Sequence, residues 1–515
     1  PGYPGTGAYN TYFGSADYTK TLSPAMVNDF RFSAQRVRRV QGVPATKLPT
    51  PGQLGIGITP DESTGPTLLG FGSGMSLGFS YGGPTTLIDN TYTWSDTLSW
   101  IRGKHTMKFG FNYTPYQDNT LYDYYVNGEF FFYGTGGGSF SQNDRADFLM
   151  GLPDEFLQFP SAPSNIRSYN IGFFGQDEWK VRRNLTLTFG LRYEYNSPKY
   201  DTQGRSFSLA IGQQSTVFPG APKGLLLPGD RNAPNGANFP DKNDFSPRMG
   251  FAWDPKGDGK SSLRGGIGMF YDILKAEDNL QFNGQAPFFG FADLFFDPLS
   301  DNPTGALNYM SQPFVATGQP NPFPSKPPSR NINFSDAGFL PAGGGGVYYV
   351  DQHLRTPYIF QYNLSYQREI LRNTTVELAY MGSDSHKLTG LKDSNPFLKG
   401  TNVRLFNAQP GVDPNSFSYM DTFANVGSSN YNALIVSLAG RNITAPWLGS
   451  LQYQLSWTHG KSVDNVSGFR SRTASVPAYS WNQFRGVSDF DLPNYVSFQG
   501  SWEIPFDSLW QSGPR

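Results

Sequence analysis

The chain contains no cysteine, which removes disulfide scaffolds, thiol nucleophiles and every cysteine-based metal site. It also lacks any run of eighteen apolar residues, so it encodes no transmembrane helix. Charge is scarce: 16% of the 515 residues are charged, against about 25% in an ordinary soluble domain. A net charge of −1 leaves no electrostatic footprint for nucleic acid. The histidines number four, and His105, His353, His386 and His459 show no metal-ligand spacing. What fills the chain is 59 Gly, 40 Pro, 43 Phe, 29 Tyr and 9 Trp. Mean hydropathy is nevertheless −0.45, because small polar residues occupy the remaining positions. Many aromatics, much small polar filler and few charges fit a large β protein.

Strict two-residue alternation carries the fold assignment. Met107, Phe109, Phe111 and Tyr113 interleave with Lys108, Gly110 and Asn112. Leu185, Leu187, Phe189, Leu191, Tyr193 and Tyr195 interleave with Thr186, Thr188, Gly190, Arg192 and Glu194. Leu451, Tyr453, Leu455 and Trp457 interleave with Gln452, Gln454 and Ser456. Side chains alternate across a strand, so each segment has one apolar and one polar or small face.

About thirteen strands follow from this rule, over residues 12–19, 26–36, 88–100, 106–113, 168–179, 185–195, 247–254, 262–271, 358–368, 374–381, 431–439, 451–458 and 494–503. Short connections at 22–24, 102–105, 181–184, 255–260 and 371–373 alternate with long ones at 37–87, 114–167, 196–246, 272–357, 382–430 and 459–493. An outer-membrane barrel requires that alternation, with tight periplasmic turns on one rim and long extracellular loops on the other. Aromatics at strand ends (Tyr92, Trp94, Trp100, Tyr113, Trp179, Tyr193, Trp253, Tyr366, Tyr380, Trp457 and Trp502) stand where interfacial girdles belong. A soluble sandwich or propeller would give the same alternation but seldom so many loops beyond about fifteen residues. The fold class expected is all-β, an antiparallel transmembrane β-barrel with long extracellular loops. Gly110 and Gly190 fall on the polar phase, leaving room for a group packed inside or allowing a bend.

Catalytic strings fail on context. Gly74-Met75-Ser76-Leu77-Gly78 matches a nucleophile elbow but lies in a Gly-rich loop without the required strand and helix. Gly259-Lys260-Ser261 lacks the first Gly of a phosphate loop, Asp254 standing there instead. As a calcium loop, Asp254 to Gly265 has Lys256 at a ligand position and Gly265 where the bidentate Glu belongs. Asp177-Glu178 and Asp489 with Asp491 read as rim or lumen charges held by Arg182, Arg183 and Arg485 rather than acid/base couples. No catalytic, cofactor-binding or metal residue is assigned, and the chain is expected not to be an enzyme. The long loops cluster aromatics: Tyr122, Tyr124, Tyr125, Phe130, Phe131, Phe132, Phe288, Phe289 and Phe295 are candidate ligand contacts, or they pack on one another.

Phe174-Gly175-Gln176-Asp177-Glu178-Trp179-Lys180, with Leu185-Thr186-Leu187 and Phe189-Gly190-Leu191-Arg192-Tyr193-Glu194, resembles the "QDEWK … LTLNLGLRYE" hairpin of TonB-dependent receptor barrels. Phe245-Ser246-Pro247-Arg248-Met249-Gly250-Phe251-Ala252-Trp253-Asp254-Pro255, Arg264-Gly265-Gly266-Ile267-Gly268-Met269-Phe270-Tyr271-Asp272 and Arg485-Gly486 with Ser488-Asp489-Phe490-Asp491 are similar to the Oar-like subgroup, as is Thr21-Leu22-Ser23-Pro24 with Asn28-Asp29-Phe30-Arg31. The resemblance spans most of the chain, on structural hairpins rather than a reaction signature. It implies a 22-stranded barrel with an N-terminal plug and TonB-energised uptake. No plug, carboxypeptidase-regulatory-like domain or closing aromatic strand is visible. Residues 1–515 are therefore expected to be a partial barrel domain, an internal fragment that would not insert alone as a closed barrel.

The expected function is uptake of a scarce or bulky solute (siderophore, glycan, peptide or similar) across the cell outer membrane of a Gram-negative-type bacterium. A non-transporting adhesin barrel is the alternative. Expected partners are outer-membrane lipid, the protein's own plug, the TonB complex and an unknown extracellular solute, with no nucleic acid and no cofactor. Lys108, Asn112, Arg192, Glu194, Arg248, Arg264 and Gln454 are the expected lumen contacts for plug or solute.

Overall fold

The computed structural model describes residues 5–43, 47–78, 83–134, 140–273, 288, 292–297, 308–325, 331, 347–412, 420–445, 448–468 and 481–506. A sixteen-stranded sheet dominates it, with three short strands attached to thirteen long ones. In chain order the long strands are β1 (Thr6–Ser23), β2 (Met26–Gly42), β3 (Thr85–Arg102), β4 (His105–Tyr122), β5 (Ala162–Arg182), β6 (Leu185–Asn196), β7 (Asp244–Trp253), β8 (Ser261–Tyr271), β9 (Tyr358–Leu371), β10 (Thr374–Asp393), β11 (Met420–Ala445), β12 (Gly449–Asp464) and β13 (Asn494–Glu503). Each pairs antiparallel with the next. Among the described residues the outer edges of β1 and β13 are unpaired, so the sheet is not closed.

All thirteen expected strands are present, but many run well past their expected ends. β4 continues to Tyr122, β10 to Asp393, and β11 begins at Met420 rather than near 431. Segments assigned to loops, such as 114–122, 382–393 and 420–430, are therefore ladder. The period-2 contrast fades there because polar residues occupy both phases, as in Ser383-Asp384-Ser385 opposite Ser429-Asn430-Tyr431. Backbone pairing continues without an apolar face to announce it.

The register sorts the wall into two faces. Phe109, Phe173, Phe189, Leu191, Met249, Ile267, Leu364, Leu378 and Leu455 share the apolar phase, and all are exposed. Such a face suits lipid rather than water. Aromatic rings bound it. Near the long loops, Phe32, Trp94, Tyr113, Tyr169 and Tyr195 follow one another across five strands at centroid distances of 5.1, 5.8, 6.1 and 5.9 Å. Near the short turns stand Trp100, Trp179, Trp253, Tyr366 and Trp502. On β5 the two belts are Tyr169 and Trp179, roughly 33 Å apart along the strand, or about 23 Å across a bilayer at a 45° tilt. That matches the ≈ 25 Å apolar band of an outer-membrane wall.

The short turns are tight. Gly103 takes φ 59° between Arg102 and His105, a paired position that closes a two-residue hairpin. In the β7–β8 turn, Asp254 accepts from the backbone N–H groups of Lys256, Gly257 and Gly259. Its carboxylate serves the turn itself, which accounts for the segment that imitated phosphate and calcium loops.

The long connections fold over one rim. Leu68–Phe71, Ser76–Leu77, Glu129–Phe132, Glu155–Gln158 and Ala292–Phe295 form a separate five-stranded sheet. Phe130, Phe132, Phe156, Leu294, Phe296 and Tyr309 make its buried core. Ser76 lies in a two-residue strand that pairs with Leu69 and Gly70, not before a helix, so no nucleophile elbow exists.

Candidate solute-facing site

The polar phase of the wall collects all seven sequence candidates on one face. Lys108 pairs with Gln176, Gln176 with Gly190, Gly190 with Arg248 and Arg248 with Gly268. Asn112, Gly172 and Glu194 form a second row. Arg264 pairs with Ala252, and Gln454 with Ala439 and Gln499, in the same phase.

Three candidates meet directly. Arg192 donates from Nη2 to Asn112 Oδ1 at 2.6 Å, and its Nε pairs with Glu194. Asn112 donates to Asn170 at 2.7 Å, and Asn170 donates to Asn196 at 2.7 Å. The result is a polar chain across β4, β5 and β6, with Arg192 and Glu194 about one fifth exposed (21% and 20%). Gly172 makes it possible. A Cβ there would stand 2.3 Å from Arg192 Nη2 and 2.5 Å from Asn112 Oδ1. The others stand apart from this chain. Arg248 lies over the Phe270 ring at 4.3 Å, Arg264 bonds Ser262, Gln454 accepts from Gln499, and Lys108 is exposed.

The space expected beside Gly110 is filled from within the wall. A Cβ at Gly110 would meet the Phe174 ring at 2.7 Å, so that neighbouring ring occupies the slot. At Gly190 the nearest atoms to such a Cβ, the Gly175 carbonyl and the Gln176 side chain, stand at ordinary contact distance, 3.7 Å or more.

Beyond the polar chain, toward the long loops, lies a cavity of about 490 Å³. Asn170, Asn196, Tyr116 and Ser168 line its wall side, and Lys199, Asn238, Asp241 and Arg355 its loop side. Arg355 donates to Asp241 at 2.8 Å, and Thr356 donates to Asp241 and Asp244. The cavity's accessible lining is mostly apolar, with Ile273, Leu354 and Pro357 beside these few cations, carboxylates, amides and hydroxyls, the make-up of a ligand pocket that orients its occupant by a small number of polar contacts. Periodicity located Asn112, Arg192 and Glu194 but not this site. Asn170 is in phase with them and was open to the same reasoning, whereas Asp241 and Arg355 meet across 114 residues with no local signal.

The loop aromatics divide. Phe130 and Phe132 are fully buried in the outer sheet's core, which corrects their assignment as ligand contacts: they alternate inward and have no surface to offer. Tyr125 stacks with Phe159, Tyr124 meets both of them edge-on, and Tyr122 stacks on Tyr124. Phe131 and Phe288 are half-buried, Phe288 against Phe207 and Phe218. Phe295 is exposed. Phe289 lies outside the described residues.

The opposite face of the outer sheet holds acids. Burial, reinforced by Glu155, pushes the Glu129 carboxyl up to about 7 against the opposing bond from Tyr125. Burial and Glu155 likewise push Asp293 up to about 7. Asp123 is raised to about 6, chiefly by burial. Among the described residues no group of acids or histidines has metal-holding geometry. The charged groups also depart from expectation: Asp177 pairs with His105 Nδ1 at 2.7 Å, and among the described residues Arg485 bonds Ser428 and Asn430 rather than a carboxylate. His105 lies one row nearer the turn than Asp177 on the same face, while Arg182 and Arg183 are exposed.

With this geometry in place, comparison with known proteins is decisive for the family. A family model described as an outer membrane beta barrel domain matches residues 1–511. The chain belongs to that family. It is an outer-membrane protein. No curated protein sequence matches it significantly. Among solved structures, the outer membrane transporter YddB from Escherichia coli is similar at 12% identity and TM-score 0.51, over 96% of this chain and 49% of that one. The pyoverdine outer membrane receptor FpvA from Pseudomonas aeruginosa PAO1 aligns at 10% identity and TM-score 0.47, over 97% and 48%. The siderophore receptor PiuA from Acinetobacter baumannii aligns at 10% and 0.47, over 97% and 53%. At 12% identity the likeness to YddB is one of fold, and this chain spans about half the length of each of the three structures.

Proposed function

We propose that this outer-membrane chain forms wall and loops of a TonB-dependent transporter that takes up a scarce or bulky solute, and that it makes and breaks no bond. The observation that carries this reading is the polar chain of Arg192, Asn112, Asn170 and Asn196, which leads from mid-wall to the 490 Å³ cavity under the loops. In this reading solute enters through the cavity, and the polar phase, including Lys108, Arg248, Arg264 and Gln454, faces plug or solute. Membership of the Oar-like subgroup, a plug and a TonB box belong to the same proposal and rest on the hairpin resemblance.

The test is accumulation by cells carrying or lacking the gene, across ferric siderophores, cobalamin, oligosaccharides and peptides, with and without a protonophore. The expected result is one class whose uptake requires the gene and collapses when the proton gradient is removed. Uptake unchanged across all classes, with loss of surface polysaccharide binding instead, would replace transport by adhesion.

A further inference from the structure

The outward face of β2 to β5 changes character in a single step at the upper aromatic belt. One row carries Ala34, Tyr92 and Tyr169; the next, two residues further toward the long loops, carries Arg36, Asn90, Gln117 and Arg167 in direct register. Arg38 stands on the row above, opposite Ile88. Arg36 and Arg38 are exposed, and Arg36 donates to Asn90 at 3.1 Å. Arg167 is half-buried, held by Asn119 and by the carbonyls of Asp118 and Ile166. Among the described residues neither Arg36 nor Arg38 has a carboxylate partner. The acids at this level, Asp89 and Asp118, belong to the opposite phase.

Aromatic belts sit at the headgroup level of a bilayer. Side chains one row beyond the belt, on the lipid-facing phase, meet headgroups rather than acyl chains or lumen water. Guanidinium forks match phosphate oxygens bidentately and hold them more specifically than an ammonium does. Arg36 and Arg38 are roughly 7 Å apart along the strand, a span that one phosphorylated headgroup can bridge.

We propose that Arg36 and Arg38 form a docking face for the phosphate of an outer-leaflet lipid headgroup. This goes beyond uptake and does not depend on which solute is carried. The test uses the full-length protein in detergent, followed by thermal unfolding while diphosphorylated lipid A, its enzymatically dephosphorylated form, or inorganic phosphate is added. The expected result is a rise in unfolding temperature with diphosphorylated lipid only. Arg36→Ala with Arg38→Ala loses that rise, and Arg39→Ala, on the opposite phase, retains it. An equal rise in the double variant, or with dephosphorylated lipid, would overturn the proposal, and a rise with inorganic phosphate alone would overturn the lipid assignment. Should the double variant fail to fold, Arg36→Gln with Arg38→Gln and phosphorus per purified protein give the same decision.

Discussion

The wall and the outer sheet use one sequence pattern to opposite ends. In β6, Phe189 and Leu191 alternate with Thr188, Gly190 and Arg192, and the two apolar residues are 46% and 52% exposed. In Glu129–Phe132, Phe130 and Phe132 alternate with Glu129 and Phe131 and are 0% exposed. Alternation reports which residues share a face but not what covers that face. In the wall the cover is lipid, so apolar side chains face outward and polar ones converge. In the outer sheet water surrounds the rim, so the same aromatics turn inward against Phe156, Leu294 and Tyr309. The acids left on the other side, Glu129 and Asp293, then carry the cost of partial burial.

That contrast predicts where substitutions act. Phe156→Ala, which empties the outer core, should cost about 3–5 kcal/mol of local stability. Limited proteolysis of the full-length protein should cut the loops while the wall stays resistant to heat and detergent. The next largest effect belongs to the wall: Leu191→Arg, midway between the two belts and opposite Gly175 and Pro247, should cost about 2–4 kcal/mol at mid-bilayer. It should lower the temperature at which the folded gel band is lost, without exposing the loops to protease. A similar loop sensitivity for both variants would erase the distinction between the two sheets.

Gly172→Ala should act on the polar chain rather than the fold, because the atoms in its way are the ends of two side chains. Losing the Arg192–Asn112 bond should cost about 1.5–3 kcal/mol as a charged hydrogen bond. Solute uptake should fall while the folded band survives, and Gly190→Ala, with contacts no closer than 3.7 Å, should leave both unchanged.

The smallest effect is one of pH. Glu129 and Asp293 bind protons more tightly folded than unfolded, so their contribution to the outer sheet is fully present below the unfolded carboxyl range and is lost as pH rises toward about 7. Corrected for the base-catalysed rise in intrinsic exchange, amide opening in residues 129–132 should increase between pH 5 and pH 8, by at most about tenfold per pH unit for each group that titrates. Glu129→Gln should flatten that rise. A flat wild-type profile would mean the acids are already solvated.

How much of this was legible in the chain follows from the same contrast. Phe-Gly-Leu-Arg-Tyr-Glu at 189–194 displays wall, phase and candidate site at once, because lipid on one side and polar groups on the other keep the alternation clean. The extensions of β10 and β11 were illegible: both phases are polar there, and a ladder between two wet faces has no periodic signature. Phe130 and Phe132 misled for the complementary reason, since aromatics in a loop-length connection look exposed until a second sheet is known to cover them. The Asp241–Arg355 pair joins two long connections and depends wholly on how those connections fold.

The chain's lack of cysteine allows the central claim to be tested directly. Single cysteines placed in turn from Thr186 to Glu194 in the full-length protein, in native outer membranes, should react alternately. Membrane-impermeant maleimide should label positions 188, 190, 192 and 194, whereas a bilayer-soluble probe should label 187, 189, 191 and 193. The reverse phase, or equal labelling of both sets by the aqueous reagent, would contradict a wall with lipid on its aromatic side and a water-filled path along Arg192 and Glu194.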